Sequence, residues 1–263
     1  MAKADALNLV SDFKKRIGAG KFYSLSRAQI ADGLTDRIND PGVINQAAAN
    51  LCGPASLLFN LAIDRPEMYA KFGIDLFEIG EAHLKDLKIT AGDDLRAAVP
   101  ARGSIHPTDW ITMASIRDSE NWFGFSYSST TQEASAITWP NEMEKWFTQI
   151  GYTKVINKAS KWFTQDRFNA EEASRLYDKE DYHVVLLLND KILQQTGHKA
   201  YEYSAATPPT HYVVLRSTIS FSPTVKFTVY SWGNKLRQVP QIGEALTVDE
   251  FLGNYFGFIA CKY

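Results

Sequence analysis

Cys52 opens the segment Cys52-Gly53-Pro54-Ala55-Ser56, with Gln46 six residues before it and the apolar run Leu57-Leu58-Phe59-Asn60-Leu61-Ala62 directly after. The run predicts a helix from Cys52 to about Ile63, with the cysteine at or next to its N-terminus. Backbone N–H groups and the positive end of the helix dipole favour the thiolate there, and the thiolate is the nucleophilic form. Gly53 and Pro54 read as backbone devices that shape the helix start. A thiol nucleophile needs a base that takes its proton and returns it to a leaving group, a task suited to histidine. Of five histidines, His211 opens the apolar strand Tyr212-Val213-Val214-Leu215 just after Pro208-Pro209, a strand mouth from which a ring can face a cleft. His183 also opens a strand and is the rival; His83, His106 and His198 lie in polar or turn-rich settings. The plain alternatives are a buried core cysteine at 52, a satisfied strand-end histidine at 211 and an ordinary loop or helix-cap glutamine at 46.

The elements that must position these residues change character along the chain. Residues 5–18 carry Ala6, Leu7, Val10, Phe13 and Ile17 at helical spacing. Ser24 or Ser26 can cap a second helix through about Arg37, stopped by Asp40-Pro41-Gly42. Pro66 starts a helix through Phe77, and Pro107 or Thr108 opens another through about Arg117 with Trp110, Ile111 and Ala114 buried. Ser126 to Ser135 reads as an exposed loop. Pro140 begins a helix with Met143, Trp146, Phe147 and Ile150, stopped by Gly151. After a short helix over 170–177 the chain turns to β-branched and aromatic runs, at 183–188, 211–215, 225–230 and 256–260, which read as strands. A helical half followed by a strand-rich half points to an α+β fold with an antiparallel sheet.

The order Gln46, Cys52-Gly53-Pro54, His211-Tyr212-Val213-Val214 and Tyr230-Ser231-Trp232-Gly233 resembles the papain-like cysteine peptidases, above all bacteriocin-processing peptidases and papain-fold bacterial toxins and effectors. The resemblance runs over residues 37–65 and 183–235. It implies a papain-like α+β fold, with Cys52 at the head of the central helix, His211 as base and Gln46 in the oxyanion hole. Residues 1–40 are expected as a helical N-terminal extension and 41–263 as the catalytic domain. The family usually orients its histidine with Asn or Asp on the next strand, just before Ser/Pro-Trp-Gly; here that position holds Tyr230. If strands 211–219 and 225–234 form a hairpin turning at Ser222-Pro223, His211 lies opposite about Asn234, and Tyr230, Trp232 and Asn234 share its face. A one-residue slip brings Ser231 there instead. Asn234 ranks slightly first, with Tyr230, Ser231 or no third residue as the other options.

The activity so implied is a cysteine-nucleophile hydrolysis of amide bonds, in a peptidase that acts as a bacterial toxin or effector on a protein or peptide substrate. An inhibitor or immunity protein would then be a further partner. The same machinery serves glutamine deamidation or acyl transfer, and an inactive papain-like binding module is the alternative of a different class.

Composition bounds the rest. The 263 residues, 45% hydrophobic and 22% charged, suffice for a sizeable core, and a net charge of −2 suggests no nucleic-acid partner. No stretch reaches the roughly 18 apolar residues of a spanning helix. Met1 to Gly20 lacks an apolar h-region, so the expected location is cytoplasmic, or secreted by a route without a signal peptide. Two cysteines, Cys52 and Cys261, are too few for a disulfide scaffold or a cysteine-rich zinc site, although one bridge between them is possible on counting. Nothing implies a metal or organic cofactor.

Overall fold

The computed structural model describes residues 2–100, 104–120, 138–193 and 208–263. The expected loop from Ser126 to Ser135, Trp122 and His198 lie outside the described residues. The chain forms two compact units. The first comprises Met1–Thr138 with Gln149–Gly151, and the second Trp139–Thr148 with Tyr152–Tyr263.

The first unit is mainly helical. α1 (Ala2–Lys15) buries Ala6, Val10 and Phe13. Ile17, expected on the same face, lies past the helix end and is fully exposed, because the chain leaves the helix before Gly18, whose φ is +116°. α2 (Arg27–Asn39) starts with a capping box: Ser26 accepts from the Gln29 N–H, and the Gln29 side chain accepts from the Ser26 N–H. α3 (Cys52–Asp64) is buried over nearly its whole length, as its all-round apolar sequence requires. α4 (Pro66–Ile79) has Pro66 in its first turn and ends at Gly80 in the left-handed conformation. A hairpin that the sequence reading missed follows, β1 (Glu81–Leu84) and β2 (Leu87–Thr90), with Lys85 at φ +52° in its turn. α5 (Asp93–Ala97) follows the hairpin. α6 (Pro107–Asp109) runs through a π-helical turn, Trp110–Ala114, into α7 (Ser115–Ser119).

Helix crossings in this unit are close where glycine permits. A Cβ on Gly73 of α4 would lie 2.7 Å from Leu34 Cδ2 of α2, and one on Gly33 of α2 would overlap Thr108 and His106. Phe13 of α1 meets Phe77 of α4 edge-on at 5.6 Å, with the Arg27 guanidinium over both rings and ion-paired to Glu78. α1 and α2 therefore pack into the first unit.

The second unit is built on a six-stranded antiparallel sheet, so the mixed α+β class expected from the sequence is the class observed. α8 (Pro140–Gln149) buries Met143, Trp146 and Phe147. The strands are β3 (Thr153–Asn157), β4 (His183–Leu188), β5 (His211–Leu215), β6 (Phe227–Ser231), β7 (Asn234–Val239) and β8 (Tyr255–Lys262). Their spatial order is β3-β8-β4-β5-β6-β7. α9 (Arg167–Lys179) lies between β3 and β4 in sequence, and α10 (Val248–Gly253) between β7 and β8. Their apolar residues, including Leu176 and Phe251, join one core with alternate sheet residues Leu186, Leu188, Val213, Leu215 and Val229.

Candidate active site

Cys52 and Gln46 belong to the first unit and His211 to the second. In the first, Cys52 occupies the first helical position of α3, and Leu51, the cap residue, makes no side-chain cap. The Leu51 carbonyl accepts from the Ala55 N–H at 2.9 Å. Pro54 has no N–H, so the donors of the first turn belong to Cys52 and Gly53. Cys52 is partly exposed, Cys261 is buried, and neither forms a disulfide.

The loop that delivers the cysteine is closed by its own polar groups. Asn45 Oδ1 accepts from the Ala47 N–H at 2.8 Å while Ala47 sits at φ +53°. Gln46 is buried; its Nε2 donates to the Ala49 carbonyl at 2.8 Å, and its own carbonyl accepts from the Ala49 N–H at 3.1 Å. One of the two amide hydrogens proposed for oxyanion binding is thus committed to the loop.

An anchor that the sequence reading did not identify holds this loop to the helices beneath it. Arg37 of α2 donates from Nε at 2.6 Å and from Nη2 at 2.5 Å to the two carboxylate oxygens of Asp109 in α6. Asp109 Oδ2 also accepts from the Asn45 N–H at 3.1 Å, one residue before Gln46. Both side chains are buried. Burial works against the Arg37 charge, but the hydrogen bonds and attraction of Asp109 outweigh it and hold the guanidinium above its ordinary value. Burial also raises the Asp109 carboxyl, against the pull of Arg37 and of the Asn45 N–H.

Gly53 fits where no side chain would. A Cβ there would run into the side chain of Thr138, which is itself buried. Gly53→Ala is expected to lower stability by about 1–3 kcal/mol through overpacking and to change the rate at which Cys52 reacts with alkylating agents. Thermal denaturation with a parallel labelling assay checks both; an unchanged melting temperature would show that Thr138 yields freely.

In the second unit, His211 is 4% exposed and its Nε2 lies 2.7 Å from Ser231 Oγ. The imidazole stacks on the Trp232 indole, with centroids 4.2 Å apart and planes 16° from parallel. The Arg237 guanidinium covers that indole, 5.2 Å from its centroid. Arg237 also donates from Nη2 to the Leu193 carbonyl. Asp190 stands on the other side of the account: its backbone N–H donates to Thr210 Oγ1 at 2.8 Å, and Thr210 Oγ1 donates to its carboxylate at 2.6 Å, immediately before His211. Burial lowers the His211 pKa to about 4; the Asp190 charge opposes this and the Arg237 charge adds to it.

The register corrects the expected face. Val214 pairs with Tyr230 and Leu215 with Val229. Tyr230 therefore shares a face with Tyr212 and Val214, while Ser231 shares one with His211, Val213 and Leu215. Trp232 and Gly233 do not continue the strand. They form the two-residue turn between β6 and β7, at φ +48° and +71°, the positive angles of a type I′ turn. That turn folds the indole over the imidazole. Asn234, ranked first for orienting the histidine, opens β7 after the turn, and its side chain lies outside the described residues. The rival His183 opens β4 and meets Tyr152 edge-on at 6.1 Å.

Among the described residues, no three His, Cys, Asp or Glu side chains are placed to hold a metal ion, and no helix is long and apolar enough to cross a membrane. A pocket of about 510 Å³ in the second unit is lined by residues 164–166 and by Asp249, Glu250, Leu252, Gly253 and Asn254, and so involves none of the candidate residues. No protein-family model, curated protein or solved structure matches the chain.

Proposed function

We propose that the chain is a cysteine-nucleophile hydrolase of amide bonds, with Cys52 as nucleophile and His211 as base, on a papain-like fold. The observation that carries this reading is the position of Cys52 at the first residue of a buried helix, in a turn whose donors are the Cys52 and Gly53 N–H groups. In the proposed reaction His211 takes the thiol proton and the thiolate adds to the amide carbonyl. The resulting oxyanion is met by the Cys52 N–H and the remaining Gln46 amide hydrogen. Collapse expels the amine, which takes the proton from the imidazolium, and water then releases the acyl group from the thioester. With Nε2 engaged by Ser231, proton transfer runs through Nδ1. Peptide hydrolysis by a toxin or effector is the preferred form; glutamine deamidation and acyl transfer use the same steps with a different amide or acceptor.

A second reading, an inactive binding module of the same class of fold, is favoured by one observation: His211 is buried, on the face of the sheet that carries the α9 and α10 core. Iodoacetamide labelling of the folded protein across a pH series separates the two. The hydrolase predicts alkylation of Cys52 with an apparent pKa below about 7.5, rising toward about 8.5 in His211→Ala. Labelling as slow as that of a model thiol, indifferent to His211, would remove the nucleophile assignment and leave the binding module.

A further inference from the structure

Two observations converge on Ser231. Its hydroxyl is buried 2.7 Å from His211 Nε2, and the Trp232 turn covers the same ring with an indole. We propose that Ser231 is a positioning residue that accepts a hydrogen bond from His211 Nε2–H, so fixing the imidazole in the tautomer whose lone pair lies on Nδ1. The direction of that bond rests on the thiol-hydrolase reading, since a serine hydroxyl is able both to accept from Nε2–H and to donate to a bare Nε2.

The chemistry follows from the donor inventory of the two groups. A neutral imidazole donates from one nitrogen and accepts at the other, whereas an imidazolium donates from both. A hydroxyl that accepts from Nε2–H therefore keeps its bond when the ring gains a proton at Nδ1. A hydroxyl that donated to Nε2 would put the proton on Nδ1 and close the ring to a thiol on that side. Only the accepting arrangement serves both protonation states without rotation of the hydroxyl.

Ser231 is neutral, so it orients the ring without adding the attraction for imidazolium that a carboxylate would supply. The charges near the ring come from Asp190, after β4, and Arg237, on β7, and they act in opposite directions. Trp232 completes the arrangement: held at positive φ by the turn, it stacks flat on the ring. A bulky side chain in the left-handed region is a strained choice retained where the surrounding structure requires it.

The test is the nitrogen spectrum of the full-length protein labelled with 15N, near neutral pH, with the His211 signals identified by their loss in His211→Gln. The expected wild-type pattern is a protonated Nε2 and a bare Nδ1. Ser231→Ala is expected to weaken that preference roughly tenfold, the factor one buried hydrogen bond supplies, and Ser231→Thr to restore it. A wild-type ring protonated on Nδ1 would overturn the proposal, as would a Ser231→Ala spectrum with the same tautomer preference. Should Ser231→Ala fail to fold, the wild-type and Ser231→Thr spectra still decide. Cys52 alkylation in the same variants separates this assignment from the enzyme reading. If alkylation ignores His211→Gln, the hydrolase falls while the spectra still judge Ser231. If alkylation responds to His211→Gln but the ring is protonated on Nδ1, Ser231 falls and the hydrolase stands.

Discussion

Arg37→Met is expected to destabilise the protein by about 3–5 kcal/mol, because it strands the Asp109 carboxylate in a site without solvent. Asp109 is fully buried and takes both of its strongest donors from Arg37; the Asn45 N–H alone would remain. The expected loss is larger than the net worth of the pair. Two buried charges that attract each other must also forgo hydration, and the balance is often near zero. The double variant Arg37→Met/Asp109→Leu should therefore recover most of the stability, short of about 1 kcal/mol for the lost Asn45 bond. The recovery should not extend to Cys52. Without an acceptor for the Asn45 N–H, the loop through Gln46 loses its tie to the helices, and Cys52 alkylation should lose its uniform rate. Urea unfolding of the three proteins, with labelling in parallel, reads both quantities. A single Arg37→Met that costs less than about 1 kcal/mol would show that Asp109 finds other partners.

The second large effect is on the pH dependence of stability. With no thiolate paired to it, burial lowers the His211 pKa to about 4 in the folded chain, against near 6.5 when unfolded. Between those values the unfolded chain binds more protons, so stability falls as the pH is lowered through that window. The contribution is fully present above about 6.5 and is lost by about pH 4; its full size is about 3 kcal/mol. His211→Gln should flatten the corresponding part of the curve relative to the parent protein. Cys52→Ala sharpens the measurement. A thiolate paired with the imidazole would raise the His211 pKa in the parent, so removing the thiol should steepen the acid loss. Identical curves for the parent and Cys52→Ala would mean that no such pair forms, and would count against the hydrolase.

The parts of the fold that were legible in the sequence are those with strong local signals. A capping serine at 24 or 26, Pro66 in a first turn and the apolar run after Cys52 each mark a helix start by chemistry that acts over a few residues. The β1–β2 hairpin was not legible, because each strand has four residues and its turn uses Lys85 rather than glycine. The β6–β7 turn was hidden for a related reason: Trp232 at positive φ is not a turn signal that composition carries. The register facing His211 is set instead in the β5–β6 connection, where Ser220 bridges Lys226 while Leu215 pairs with Val229, an offset that a simple hairpin does not carry. The sequence placed His211 opposite about Asn234, one residue away from the observed pairing, and in a strand a slip of one exchanges the faces. That slip is the difference between Tyr230 and Ser231 as the neighbour of the imidazole. The Arg37–Asp109 anchor had no signal, since its partners stand 72 residues apart and only packing brings them together.

The path of the chain between the two units has a practical consequence. After Thr138 the chain enters the second unit, returns to the first at Gln149–Gly151, and leaves again at Tyr152. The brief return is integral to the first unit: the Asp86 N–H in the β1–β2 turn donates to the Gln149 carbonyl at 3.1 Å, and Ile150 is fully buried. No single cut can separate this molecule into two intact pieces. A fragment ending at Thr138 would lack an acceptor for its hairpin, and one starting at Tyr152 would lack Trp146 and Phe147 of α8. Either unit can be isolated whole only by rejoining the chain across the excised segment, not by truncation.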